Sequence, residues 1–508
     1  MAAIITSKFR LDSTNKFVDS LSDNQFYMAL GRPNAWTDDA SPDTPYENDY
    51  ASNTLWENMF AMKRVDAADI VHCTKRNLWV SGTTYVEYDD QDSNIEGKTY
   101  FVISDNNNVY MCLRAGAGAS TYNPDTIGVQ TSGVIGSVSA NDGYIWKYMY
   151  TVPATDVTKF LTSSFMPCRK LTEQPAVGAD AGLTAQWAVQ GNAIDGAIYN
   201  LKITTAGVGY TGAPTITISG DGSNAAATCT VSGGAINSVT MTNVGTGYTH
   251  ATVTLTTSGS STAATLRPVI GPPGGYGADP TNDLRAHYVT VNTVFTGDES
   301  GSIPDSNDFR QIAVIKNPIE KATESATLSA AGCMVVGNFY KILTIGTSSD
   351  AHWATAGSTS GNPVVGEVFK SIATTSSGSG TIAQVAEAAA YNTCKSVTIP
   401  ASLASTYVAD FAFEGHTGGT VGAKGICVEY NNTSGVLHYI QNESTGFGTF
   451  TTSHLTRATG SSGAGNQISA VGNPLVNHHS GDVMFIENRT ATTRAAGQVE
   501  TIRLVIAF

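Results

Sequence analysis

Residues 480–508, SGDVMFIENRTATTRAAGQVETIRLVIAF, decide the fold class. Val483, Phe485, Ile502, Leu504, Ile506 and Phe508 alternate with Asp482, Met484, Arg503 and Val505, which is the period-two pattern of half-buried strands. Residues 489–497, polar and without an apolar period, read as the connection between two such strands. On this reading Phe508 is a core residue. The last strand then needs partners contributed from earlier in the chain.

Candidate partners are plentiful upstream. Residues 85–88 (YVEY), 99–103 (TYFVI) and 108–113 (NVYMCL) alternate in the same way, with Asn106 and Asn107 as the turn between the last two. Thr54-Leu55-Trp56-Glu57 has the form of a capping box, so a helix of about three turns starts at Thr54, with Leu55, Met59 and Met62 on its apolar face. Farther on, Asp279-Pro280 can open a short helix with Pro at its first position, followed by a strand over residues 287–292. Residues 425–430 and 435–440 read as a hairpin around residues 431–434.

Residues 193–270 contain an internal repeat. Ile198, Leu201, Ile203, Gly207, Gly209 and Tyr210 recur as Ile236, Val239, Met241, Gly245, Gly247 and Tyr248, always 38 residues later. Spaced glycines permit positive φ at a sharp turn, and the tyrosine is placed to cover the end of the strand pair. Residues 214–218 and 251–255 supply the next strands. Two copies are too few for a free-standing solenoid, so a compact β module is expected. Residues 326–390 are expected to be a second, inserted β module; loop closure costs only about 0.6 kcal/mol per doubling of length, so a self-folding insert with nearby ends is cheap for the host fold. The expected division is 1–192, 193–270, 271–325, 326–390 and 391–508. The fold class is mainly β with a few short helices (α+β), multidomain, with β-sandwich-like modules and the N- and C-terminal segments packed in one body.

Composition sets further bounds. Of 508 residues 41% are apolar and only 14% charged, with Gly, Ser, Thr, Asn and Ala abundant, which favours strands and tight turns over long surface helices. The net charge is −14, with 16 Asp+Glu against 9 Lys+Arg in the first hundred residues and no basic run. Nucleic-acid binding draws on basic clusters, so no nucleic-acid partner is expected. No apolar stretch reaches the 18 residues of a membrane span, so no membrane partner is expected either. Seven scattered cysteines without CxxC spacing read as small buried apolar residues in a reducing compartment.

Motifs that would carry catalysis fail at particular residues. Gly97-Lys98-Thr99 resembles the end of a P-loop, but Asp92 stands where its first Gly is needed and a strand follows. Gly207-x-Gly209 and Gly245-x-Gly247 lack the third Gly and the helix of a dinucleotide site. The acidic run Asp89, Asp90, Asp92 would need Gly at 95 and Glu at 101 to form an EF-hand, where Ile95 and Phe101 stand; an acidic surface turn is expected. His478, His479 and Asp482 offer two imidazoles and a carboxylate, but without a third ligand at helical spacing they read as a solvated turn. Residues 139–146 (SANDGYIW) loosely resemble an Asp-box, with Asn141 at the Asp position and no repetition. Trp36, Trp79, Trp187 and Trp353 are candidate anchors, one or two of them at a subunit contact. No catalytic, cofactor-binding or metal-binding residue is assigned, and no cofactor is expected.

Four blocks carry a resemblance: residues 21–63, 142–167, 272–318 and the GDVMFIENRTATTRA stretch at 481–495. In this order they are similar to the baseplate wedge protein of contractile-tailed phages, of the gene-eight product type of T-even phages. The resemblance covers the chain apart from the two inserts. It implies a non-enzymatic virion subunit of the tail baseplate, assembled in the host cytoplasm. It also implies a homodimer that contacts other wedge subunits and fibre-attachment proteins and shares in the rearrangement that triggers sheath contraction. The alternative is a receptor- or glycan-binding tail protein, which as a hydrolase would need paired carboxylates in a cleft or a β-helix period. A third reading confines glycan binding to the two inserts.

Overall fold

The computed structural model describes residues 4–127, 142–256, 259–260, 262–321, 325–403, 406–417, 420–451, 454–456 and 465–508. Strand accounts for 40% and helix for 14% of it, spread over several sheets with few short helices. The chain divides into two compact units. The first comprises Met1–Val18, Val71–Val291 and Leu504–Phe508; the second comprises Asp19–Ile70 and Asn292–Arg503. Neither is continuous in sequence.

In the first unit the two ends of the chain meet. The Phe17 and Phe508 rings lie 5.4 Å apart, and the Phe508 N–H donates to the His287 carbonyl at 3.1 Å. Phe508 itself is only half-buried. In the strand that precedes it, Val499–Ala507, the buried residues are Glu500, Ile502 and Leu504. A three-stranded sheet, Phe101–Ile103, Asn108–Arg114 and Ile145–Thr151, turns at Asn107, whose φ is +61°. Residues 85–88 do not form the expected strand. Tyr85 and Tyr88 are both buried, three residues apart and so not on the single face that a period-two strand would bury, and Val86 and Tyr88 make single backbone bonds to Thr99 and Cys112 rather than a ladder.

The repeat is built as an exchange between its copies. Each copy contributes three strands: Ile198–Thr205, Thr215–Gly220 and Ser223–Ser232 from the first, Ala235–Thr246, Ala251–Thr256 and Thr265–Ile270 from the second. The third strand of each copy pairs with the first strand of the other, and the two middle strands pair together, all antiparallel. One core results, holding Ile198, Leu201 and Tyr210 with their counterparts Ile236, Val239 and Tyr248. Gly207 and Gly245 have φ of +70° and +66°. A Cβ on Gly245 would lie 2.7 Å from the Ala225 nitrogen and 2.8 Å from the Tyr248 ring, and Gly207 repeats this against Ala264 and Tyr210. Gly247 also has positive φ, but a Cβ there meets nothing closer than 3.9 Å. Gly247→Ala is therefore expected to cost about 1 kcal/mol of backbone strain, and Gly245→Ala about 2 kcal/mol or more because overlap is added. Urea denaturation of the two variants checks the difference.

The second unit centres on a five-stranded antiparallel sheet in the order Ala390–Asn392, Met59–Val65, Phe26–Gly31, Asp308–Lys316, Asp482–Thr493. Phe26–Gly31 is buried at every position, which explains its continuous apolar run FYMALG. Asp482–Thr493 is an edge strand and extends past residue 489, in register to Asp308↔Thr493. The expected long connection thus shrinks to residues 494–498. Backbone bonds to the neighbouring strand, not side-chain polarity, decide where this strand ends. A seven-stranded sheet holds the hairpin of Thr420–Tyr430 with Val436–Ile440. Residues 326–390 form a four-stranded sheet plus the helix Asp350–Ala356, with their own core around Trp353, Tyr340, Phe369 and Ile382.

The helix expected from Thr54 begins earlier. It runs Asp49–Asn58 and is capped by Asn48, whose side chain accepts the Ala51 N–H at 2.8 Å. Met59 and Met62 belong to the next strand rather than to its apolar face. Helix and strand bury into one cluster with Tyr27, Ala313 and Ile315, so their apolar residues merged into a single helical pattern.

Candidate functional site

Most residues singled out from sequence prove to be spent on structure. Asp89 is buried rather than solvated: it accepts from Lys202 at 2.9 Å and from Arg267 at 2.6 Å. Burial opposes its ionisation, but these bonds outweigh it and hold the carboxyl below its ordinary value. Asp92 pairs with Lys98, which occupies an extended position after a single 3₁₀ turn, not a helix start. Asp142 organises a turn, accepting from the Thr121, Tyr122 and Tyr144 N–H groups; residues 139–141 lie outside the described residues. All seven cysteines are free, and all but half-buried Cys333 are buried.

One constellation in the first unit deserves a chemical test. Ser7 Oγ lies 2.9 Å from His287 Nε2, and Glu96 Oε1 lies 3.3 Å from the same nitrogen. A nucleophile relay needs the hydroxyl on one ring nitrogen and the carboxylate on the other. Here both share Nε2, while Nδ1 is buried with no hydrogen-bond partner among the described residues. Ser7 also accepts from Arg285 at 2.9 Å, and Glu96 from Arg10 at 2.6 Å. This is a cross-braced ion cluster. Burial pushes the His287 imidazole below its ordinary value.

The surface with binding character lies in the second unit, around the Asp49–Asn58 helix. The segment leading to it is pinned from below. Arg310, 4% exposed, donates from Nε to both Asp39 carboxylate oxygens at 3.0 Å and from Nη1 to the Pro33 carbonyl. Asp39 in turn accepts the Trp36 N–H at 2.7 Å. Trp36 carries the Arg32 guanidinium 3.6 Å above its ring and donates to the Arg489 carbonyl at 3.0 Å. Asn488 donates to the Asp43 carbonyl at 2.8 Å. Residues 36–43 thus cover the edge strand at 488–489. At 483–486 the same strand borders an open groove of about 480 Å³, whose other wall is residues 45–49 and Ser52.

Exposed aromatics stand on this helix and groove. Tyr46 and Tyr50 are 75% and 65% exposed, and Met484 in the groove is 49% exposed. The Tyr50 hydroxyl donates to Glu443 at 2.7 Å. None of the four tryptophans has such exposure. Trp353 is fully buried, and Trp36, Trp79 and Trp187 are half-buried. The exposed aromatics here are tyrosines that pattern reading passed over, since Tyr46 and Tyr50 lie in a stretch without periodicity.

Beside the last turn of the helix is a cavity of about 300 Å³ lined by Glu57, Lys321, Lys395, Phe447, His478 and His479 among others. The expected solvated histidine turn is only half correct. His479 is exposed, with φ of +61°. His478 is tucked 6.0 Å from the Trp56 ring, with Nε2 donating to the Thr393 carbonyl at 2.8 Å. Burial pushes His478 down to about 4, so it is neutral at pH 7. The Glu57 carboxyl is pushed up by burial, with His479 pulling against it. Among the described residues, no group of three or more His, Cys, Asp and Glu is placed to hold a metal ion, and no helix is long and apolar enough to cross a membrane. Neither a scan against models of protein families nor a search of curated proteins returns a match.

Proposed function

We propose that this chain is a non-enzymatic structural subunit of a contractile phage tail baseplate wedge, acting through surfaces rather than a reaction. Its partners on this reading are a second copy of itself, other wedge subunits and fibre-attachment proteins, and its place is the tail baseplate of the virion. The resemblance of residues 21–63, 142–167, 272–318 and 481–495 to that family supports it. The observation that carries it is the face around the Asp49–Asn58 helix, where Tyr46, Tyr50 and Met484 stand exposed beside an open sheet edge. Tyrosines on a rigid, pinned support are the residue type that dominates interface energetics.

The reading predicts a large, local effect. Tyr46→Ala with Tyr50→Ala is expected to weaken association by about 2 kcal/mol or more, roughly thirtyfold, without altering the melting temperature. Sedimentation velocity of the purified chain, alone and mixed with other purified wedge subunits, reads it. Unchanged association would remove this face from the assembly, and absence of the chain from mature particles would end the proposal.

A further inference from the structure

The cavity beside the last helical turn contains charge that packing alone does not require. Lys395 is half-buried. Its ammonium donates to the Gln441 side-chain carbonyl at 2.7 Å, and no carboxylate among the described residues forms an ion pair with it. That carbonyl is held in place. Gln441 is 5% exposed, and its amide nitrogen donates to the Lys424 and Gly448 carbonyls at 2.8 and 2.7 Å. Taking an ammonium partly out of water beside a neutral acceptor is unfavourable, and burial accordingly lowers the Lys395 pKa. In a chain of net charge −14, a fixed and unneutralised cation facing a cavity is a prepared anion site.

The remaining lining narrows the anion. Glu57 also faces the cavity, and its carboxylate would repel a bare phosphate or sulfate while accepting bonds from hydroxyls. Asn473, at the exposed rim, adds an amide that can donate and accept. Phe447, 58% exposed, and Val476 give an apolar wall for the C–H face of a ring. The volume, about 300 Å³, sits at the small end of ligand pockets and suits one ring rather than an oligomer. An ammonium, hydroxyl acceptors and an apolar wall in one small cavity match a sugar that carries a carboxylate. We infer that this cavity binds a single acidic monosaccharide residue, its carboxylate on Lys395, its hydroxyls on Glu57 and Asn473, and its ring against Phe447. The site lies in neither of the two inserts. It does not depend on the baseplate reading.

The test titrates the purified full chain with D-glucuronate, D-galacturonate and N-acetylneuraminate, using D-glucose, inorganic phosphate and an acidic peptide for comparison. Saturation-transfer NMR and calorimetry follow binding. At least one acidic sugar is expected to saturate with a Kd of roughly 0.1–10 mM, about tenfold tighter than D-glucose or phosphate. Lys395→Met should weaken it about tenfold or more, and Lys395→Arg should retain most of it. Asn473→Asp, an exposed change that leaves folding intact, should weaken it about threefold or more by charge repulsion. Lys16→Met, at an exposed position of the helix Ser7–Asp19, should leave it unchanged. The inference is overturned if no acidic sugar saturates, if phosphate or D-glucose binds as tightly, if the acidic peptide competes more strongly than any sugar, or if Asn473→Asp leaves binding intact.

Discussion

Arg494→Ala is expected to lower the unfolding free energy of the second unit by about 3–5 kcal/mol, the largest effect of any single charge removal in that unit. The Arg494 side chain has no solvent exposure. Its guanidinium donates to Glu500 at 3.0 Å, to the Pro304 carbonyl at 2.7 Å and to the Gly297 carbonyl at 2.8 Å, and it lies 5.9 Å from the Phe295 ring. Alanine would leave a buried carboxylate and two carbonyls without donors. Lysine would not restore them, because Nε, Nη1 and Nη2 each serve a different acceptor and a single ammonium lacks that fork. Arg494→Met combined with Glu500→Met should recover part of the loss, since the uncompensated charge disappears along with its partner. Denaturant titration of the three variants distinguishes these outcomes. A loss below about 1 kcal/mol for Arg494→Ala would mean that water replaces the guanidinium.

Trp353→Ala is expected to cost about 3–5 kcal/mol, delivered locally. Trp353 is fully buried in the helix Asp350–Ala356, with Phe369 edge-on at 6.3 Å. Its indole is packed so closely over the chain that a Cβ on Gly380 would come within 2.5 Å of it. It is the largest member of the core that residues 326–390 build for themselves. Hydrogen exchange should therefore collapse in Phe339–Thr344 and Thr381–Gln384 while amides of Phe26–Gly31 stay protected. Trp353→Phe should be much milder, because the indole N–H has no partner in the described structure and nothing is lost with it. Uniform loss of protection across both strands sets would show that this core is not self-contained.

What was legible in the sequence was whatever is local. The 38-residue repeat, its positive-φ glycines, the Asn107 turn and the Asp279-capped helix Pro280–Asp283 are set within a few residues of chain, and pattern reading placed them. What was missed is set by distant partners. Residues 489–493 look like loop but join a ladder to residues nearly two hundred positions away. Arg494 sat unnoticed in the same polar stretch because its three acceptors come from Gly297, Pro304 and Glu500. Asp89 read as a surface acid because Lys202 and Arg267 follow it by more than a hundred residues. Of the candidate site, His478 and His479 were noticed for a metal. The groups that give the cavity its character, Glu57, Lys395 and Gln441, have no shared motif and meet only through folding.

The duplicated module has a consequence for either copy alone. Since each copy's outer strand is bonded to its twin and not to itself, a lone 38-residue segment would have two strand borders unsatisfied and half a core. Such a segment becomes whole when two identical molecules clasp one another. The present chain has the arrangement of that clasp inside a single polypeptide, each half closing the other's open borders.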